Sequence, residues 1–156
     1  MNTVKILNTT ISETSLVEVS NILNTENSLK VAICNTNTVV RSYKDDQLSK
    51  IINSFDIKTP DGFPIAKSSS ILYRNSQSRV DGYNVLLKTI ESGLSKNTSH
   101  YFYGSSDLVL KKLINKLKKD FPSINIVGSS SPPEGSYEEL AQEEYVKEII
   151  DAEPDI

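Results

Sequence analysis

The most chemically suggestive pattern in the chain is Thr59-Pro60-Asp61-Gly62-Phe63-Pro64. Its single carboxylate, Asp61, stands between a proline whose φ is fixed and a glycine that admits φ values closed to other residues. Such a loop can aim an acid into a cleft. A Pro-Asp-Gly triplet also forms an Asx-turn, in which the carboxylate bonds only nearby backbone. A second pattern, Gly104-Ser105-Ser106-Asp107, opens a helical stretch after an apolar run, so its backbone N–H groups and the helix dipole could hold phosphate or ribose oxygens. Ordinary serine N-capping explains the same residues. Gly128 and Ser129 to Ser131 follow another apolar run, where ligands of open α/β sheets bind. Asn35, at the end of a β-rich run, offers an amide to a sugar hydroxyl or makes a simple turn.

Other chemistries lack their residues. One Cys and one His exclude a disulfide, a Cys-rich zinc site and a histidine cluster, so metal chemistry would rest on carboxylates. His100, in a polar context, is expected at the surface, and Cys34 in the core. No G-x-G-x-x-G or G-x-x-x-x-G-K-[ST] occurs, which disfavours a generic dinucleotide or P-loop nucleotide binder.

The elements that would position these residues follow from apolar periodicity. Val4 to Leu7 reads as a strand and Ser12 to Asn24 as a helix, with Ser15 and Glu18 forming a capping box. Leu29 to Cys34 reads as a second strand. A helical pattern then carries Val40, Leu48, Ile51, Ile52 and Phe55 on one stripe, and Lys58 to Pro64 reads as a turn segment before a helix over Val80 to Ser95, ended near Gly93. Tyr101 to Tyr103 and Ile124 to Val127 are further strands. The helix between them, Asp107 to Lys119, turns five lysines to solvent. Ser129 to Gly135 reads as a loop, and a capping box of Ser136 and Glu139 opens an acidic helix through Ile150, with Ala141, Tyr145 and Ile149 in one row. Strands alternating with helices predict an α/β fold: a Rossmann-like, mostly parallel sheet with helices on both faces.

With 156 residues, 37% hydrophobic and 24% charged, the chain suits one domain with an apolar core. The net charge of −3 is unevenly spread, because residues 134–156 hold nine of the 20 acidic groups and only Lys147 as a base. The remainder is mildly basic, which permits an anionic small ligand and falls short of the dense basic face that duplex nucleic acid requires. No segment is apolar enough to span a bilayer, and the N-terminus lacks a signal-peptide plan, so a soluble or peripheral protein is expected.

Asn35, Thr59-Pro60-Asp61-Gly62, Arg79-Val80-x-Gly82, Phe102-Tyr103-Gly104 and Ile126-Val127-Gly128 occur in the order found in one family, and the chain resembles the WecG/TagA/CpsF glycosyltransferases over nearly its whole length. The separation of 18 positions between Asp61 and Arg79 makes the match specific. The resemblance implies transfer of an N-acetylmannosamine-type sugar, or a related hexose, from a UDP donor to an undecaprenyl-diphosphate-linked sugar. That reaction occurs at the cytoplasmic face of the membrane, in polysaccharide or teichoic acid biosynthesis. It implies inversion, with Asp61 as the catalytic base and Arg79 binding the diphosphate of the leaving group, although Arg79 could equally pair with Asp81. Asn35, Thr59, Gly62, Gly82, Gly104, Ser105, Gly128 and Ser129 become the expected substrate-binding residues. The UDP-sugar is then a substrate and no cofactor or metal is implied. The expected partners are the polyprenyl-diphosphate acceptor, a peripheral membrane contact and a further copy of the chain, without nucleic acid.

Two departures stand out: Ile33 occupies a place where the family pattern has threonine, and Asn84 one where it has aspartate. Family members also continue past Ile156 into a strand, a Gly-x-Pro-x-Gln-Glu motif and a membrane-associated tail. The expectation is therefore a single glycosyltransferase-like domain over 1–156, lacking its C-terminal third. The alternative is a catalytically inactive domain of the same fold that serves as a binding or scaffold unit.

Overall fold

The computed structural model describes residues 1–26, 28–132, 135 and 143–156. The chain divides into two compact units, Met1–Thr89 and Ile90–Ile156.

The first unit begins with an antiparallel hairpin, β1 (Thr3–Ile6) and β2 (Thr9–Ser12), turned at Leu7 with a positive φ of 53°. The sequence reading left Thr9 to Ile11 unassigned and began its helix at Ser12, the last residue of β2. That helix, α1 (Leu16–Leu23), starts later, behind the expected Ser15/Glu18 capping box. Next come β3 (Val31–Cys34), α2 (Thr36–Lys44) and α3 (Asp46–Asn53). The expected single helical stripe is two helices because Asp45, extended at φ −132°, closes α2 and accepts the Gln47 and Leu48 amides as the N-cap of α3.

Two elements replace the expected turn segment. Ile57–Pro60 is a strand, β4, that pairs in parallel with β3 and sets Thr59 opposite Ile33 and Pro60 opposite Cys34. Phe63–Tyr73 is a helix, α4, with Pro64 in its first turn. Both escaped periodicity for physical reasons. All four residues of β4 are buried, lysine included, so no alternation marks the strand, and α4 turns Ile65, Ala66 and the small Ser69 inward. The last helix to begin in this unit is α5 (Gly82–Gly93), whose residues from Ile90 onward belong to the second.

Adjacent residues of β3 point to opposite faces, and each face has its own core. Ala32 and Cys34 join Val4, Ile6, Ile11, Val39 and Ile65, while Val31 and Ile33 pack with Val19, Ile57, Val80 and Val85. The β3–β4 pair thus has α2 and α4 on one side and α1 and α5 on the other. Full burial of one such aliphatic side chain contributes about 1.5–3 kcal/mol. Cys34 is the expected core residue, and burial pushes its thiol up to about 11 against the opposing pull of Lys58.

In the second unit a 3-10 turn (Leu94–Lys96) leads into β5 (Ser99–Tyr103), α6 (Asp107–Asp120), β6 (Asn125–Ser130) and α7 (Glu143–Ala152). The five α6 lysines are exposed as expected. β5 and β6 pair in parallel, with a register shift between His100 and Tyr101 that opposes Tyr101 to Gly128. Gly128 and Ser129 therefore lie inside a strand and not at a loop entrance. A Cβ on Gly128 would come within 2.3 Å of the Tyr101 ring, so any larger residue there requires the ring to shift. His100, expected at the surface, is 3% exposed; burial lowers its pKa and Asp155 partly counters this. On the other side of β5, Ile156 N–H donates to Ser99 C=O (3.0 Å) and Tyr101 N–H donates to Ile156 C=O (2.8 Å), the bond pattern of a parallel pair. The expected Ser136/Glu139 capping box and Ala141 lie outside the described residues.

The α/β expectation holds, as two parallel pairs and one antiparallel hairpin among the described residues. No described helix is long and apolar enough to cross a membrane.

Candidate active site

Asp61 leaves the carboxyl end of β4 through a tight turn. Its N–H donates to Thr59 C=O (3.0 Å) across Pro60 and to Cys34 C=O (3.1 Å) on the paired strand. Gly62 follows with φ +83° and ψ 148°, a conformation open to glycine, and stands as N-cap of α4 without any side-chain cap bond. Asp61 therefore makes no Asx-turn. Its carboxylate is half-buried and has no hydrogen-bond partner among the described residues.

Arg79 reaches the same place from the segment between α4 and α5. That segment is pinned: Gln77 Nε2 donates to Thr14 C=O (2.7 Å), Gln77 N–H to Ser70 Oγ (3.2 Å), and Asn75 bonds both Ser69 and Glu13. Val80 is buried, and its N–H donates to Pro60 C=O (3.0 Å), which sets Arg79 beside the β4 terminus. The Arg79 guanidinium pairs with Asp81 through Nη2 (2.8 Å) and Nε (3.2 Å), both to Oδ2. Its pKa is raised by Asp81 first, while the charge of Asp61 adds to the same effect.

The two nearby carboxylates differ in their engagement. Asp81 accepts from Arg79 and from the N–H and side chain of Asn84, which occupies one of the departure positions. Partial burial alone would raise the pKa of Asp81, but these bonds together hold it at about 2. Asp81 is consumed by structure, whereas Asp61 has its lone pairs open.

The other expected residues fall into two groups. Asn35 is the N-cap of α2, its Oδ1 accepting from Thr38 N–H (3.0 Å) and Oγ1 (3.3 Å), so the capping alternative accounts for the oxygen and its Nδ2 has no described partner. It follows β3 directly, at the same strand edge as Asp61. Thr59 is fully buried, and its Oγ1 has no partner among the described residues. Gly82, first residue of α5, lies where a Cβ would stand 3.5 Å from Ile33. These residues, with Gly62 and Arg79, form one cluster at the carboxyl ends of β3 and β4.

The remaining four belong to the second unit. Gly104, at φ +111°, donates its N–H to Ser130 C=O (2.9 Å), and Ser105, at φ +63°, accepts from Ser131 Oγ (2.7 Å). These bonds tie the carboxyl ends of β5 and β6 together ahead of α6, whose N-cap, Ser106, makes no side-chain cap bond. Gly128 seats the Tyr101 ring, and Ser129 is exposed in β6.

Sequence reasoning missed a cleft of about 460 Å³ in the first unit, lined on one side by Phe63, Lys67 and Ser70 of α4 and on the other by Gln77, Ser78 and Arg79. Recognition of α4 would have revealed it, since Phe63, Lys67 and Ser70 recur at helical spacing.

The model of the glycosyl transferase WecG/TagA/CpsF family matches residues 4–156. Among curated proteins, the chain is 31% identical over 80 residues to an N-acetylglucosaminyldiphosphoundecaprenol N-acetyl-beta-D-mannosaminyltransferase of Bacillus spizizenii, covering 51% of this chain and 31% of the relative. The enzyme of the same name from Bacillus subtilis is 25% identical over 100 residues, covering 64% of this chain and 39% of the relative. The chain thus spans less than two fifths of the length of either relative.

Proposed function

The chain belongs to the glycosyl transferase WecG/TagA/CpsF family, and from that membership we propose that it carries the base and the diphosphate partner of an inverting sugar transfer. The donor is a UDP-linked N-acetylmannosamine or related hexose. The acceptor is an undecaprenyl-diphosphate-linked sugar of the kind named for its relatives. The setting is cell-envelope polysaccharide or teichoic acid assembly at the inner membrane face. One observation supports this reading above others: Asp61, a carboxylate without a hydrogen-bond partner among the described residues, stands beside an arginine whose companion acid is already satisfied.

The chemistry follows from those two groups. The Asp61 carboxylate accepts the proton of the acceptor hydroxyl as that oxygen attacks the anomeric carbon. The bond to the UDP oxygen breaks, and the configuration inverts. Arg79 stabilises the negative charge that gathers on the departing diphosphate. The pinned 75–81 segment holds the guanidinium in position before substrate arrives, which lowers the ordering cost of the step. Asp61→Asn is expected to slow sugar transfer by about 10²- to 10⁴-fold with little change in binding; an unchanged rate would overturn the assignment.

A second reading, a binding or scaffold domain without turnover, is favoured by Ile33. Its side chain covers the Gly82 end of α5 at a position where the family pattern has a hydroxyl. Calorimetry separates the two. Heat on addition of UDP or a UDP-sugar supports the transferase, and its absence supports the scaffold.

A further inference from the structure

Helix α6 turns a face of one charge sign to solvent. At about 100° per residue, its five lysines fall within an arc of roughly 160° on the exposed side, with Leu108 near the middle. Its two acids, Asp107 and Asp120, lie just outside that arc, and Leu110 and Leu117 turn inward. Lys116 pairs with Asp120 (2.7 Å), whereas Lys111, Lys112, Lys118 and Lys119 have no acidic partner among the described residues. We propose that this face docks on a bilayer surface rich in anionic lipid. The docking goes beyond the transferase reading and does not depend on it.

A helix that is merely solvated mixes both signs on its outer face, where its own ion pairs offset the charge. Here lysine alone supplies the charge of that face. The acids Glu143, Glu144, Glu148 and Asp151 of the same unit are on α7, which is held to β6 by the Ser130 Oγ bond to Glu148 (2.6 Å). Lysines gathered in this way attract anionic headgroups, each adding to the pull within about one Debye length of the surface. Nucleic acid is the other polyanion that a cationic helix can meet, and the residue types distinguish the two. From Ile90 to Ile156 the chain has no arginine, the side chain that pairs bidentately with phosphates and base edges. Headgroup attraction needs only charge, which lysine supplies. Leu108 and Val109, 63% and 51% exposed, add apolar side chains that enter a bilayer interface and would gain little from a phosphodiester backbone.

The test is co-sedimentation of the 156-residue protein with vesicles of phosphatidylcholine alone and of phosphatidylcholine with an equal part of phosphatidylglycerol. Binding should require phosphatidylglycerol and fall as salt rises. Lys112→Gln together with Lys119→Gln should weaken it about fivefold for each lysine removed, whereas Lys112→Arg together with Lys119→Arg should retain it. Should the glutamine pair fail to fold, Lys119→Gln read against Lys119→Arg makes the same comparison. Leu108→Ser should weaken binding and leave its salt dependence in place. Lys44→Gln together with Lys50→Gln, in the first unit, should leave binding unchanged. The proposal is overturned by equal binding to both kinds of vesicle, by folded glutamine variants that bind as the unaltered protein does, or by tighter binding to duplex or single-stranded DNA than to the anionic vesicles. Sugar transfer plays no part in the readout, so failure here leaves the transferase reading standing, and sugar transfer indifferent to Asp61→Asn leaves the docking face standing.

Discussion

At the scale of single residues, the site turns on which acid is occupied. Asp61 and Asp81 both lie near Arg79, yet only Asp81 is bound on several sides, and its folded pKa of about 2 lies below its ordinary 3.8. A carboxylate with a depressed folded pKa contributes stability above its unfolded value and loses it as pH falls toward the folded one. Asp81→Asn is therefore expected to cost about 1 kcal/mol at pH 7, after allowance for solvent screening, and to remove part of the stability loss between about pH 4 and 2. Urea unfolding of both proteins at pH 7 and pH 3 checks this; an equal deficit at both values would show that Asp81 acts through packing and not through its charge. The Pro-Asp-Gly motif could be read from the sequence as a device for presenting an acid. Whether the acid was free could not, because an Asx-turn uses the same three residues, and the choice depends on Gly62 taking over as N-cap.

At the scale of elements, two glycines hold geometry that other residues would spoil. Gly62, at φ +83°, joins β4 to α4, and Gly62→Ala is expected to destabilise the protein by about 1–3 kcal/mol and to misdirect Asp61. Thermal unfolding together with the transfer rate reads both effects. Gly128 answers to a neighbour. Alanine there would press on the Tyr101 ring and cost about 1–3 kcal/mol, whereas Gly128→Ala combined with Tyr101→Ser should cost less than the two single changes added. Additivity in that double-mutant cycle would mean that the ring is not what requires glycine. Helix α6 and the Ser15/Glu18 cap were legible because amphipathic period and capping chemistry are local. β4 and α4 were not, since a fully buried strand shows no alternation and a helix that buries small residues shows little contrast between its faces.

At the scale of the whole molecule, the two compact units respond to acid through different groups. His100 is buried and its pKa is lowered, so the unfolded chain takes up its proton more readily than the folded one. The stability it confers is complete above its ordinary value of 6.5 and declines as pH falls from there toward its folded pKa. Hydrogen exchange should show β5 and β6 amides losing protection first on mild acidification, while β3 and β4 amides hold until the Asp81 range. His100→Gln should remove the earlier phase, and simultaneous loss in both units would refute the ordering. By itself the sequence determined the α/β class, the family and the positions of the carboxylate and arginine proposed as base and anion partner, because these reside in short-range patterns of residue type and spacing. Only the tertiary structure decided that Asp61 is unengaged, that Arg79 stands beside it, that His100 is buried and that Lys67 lines a cleft. Each of these depends on chain segments far apart in sequence being brought together by pairing and burial, which no local pattern records.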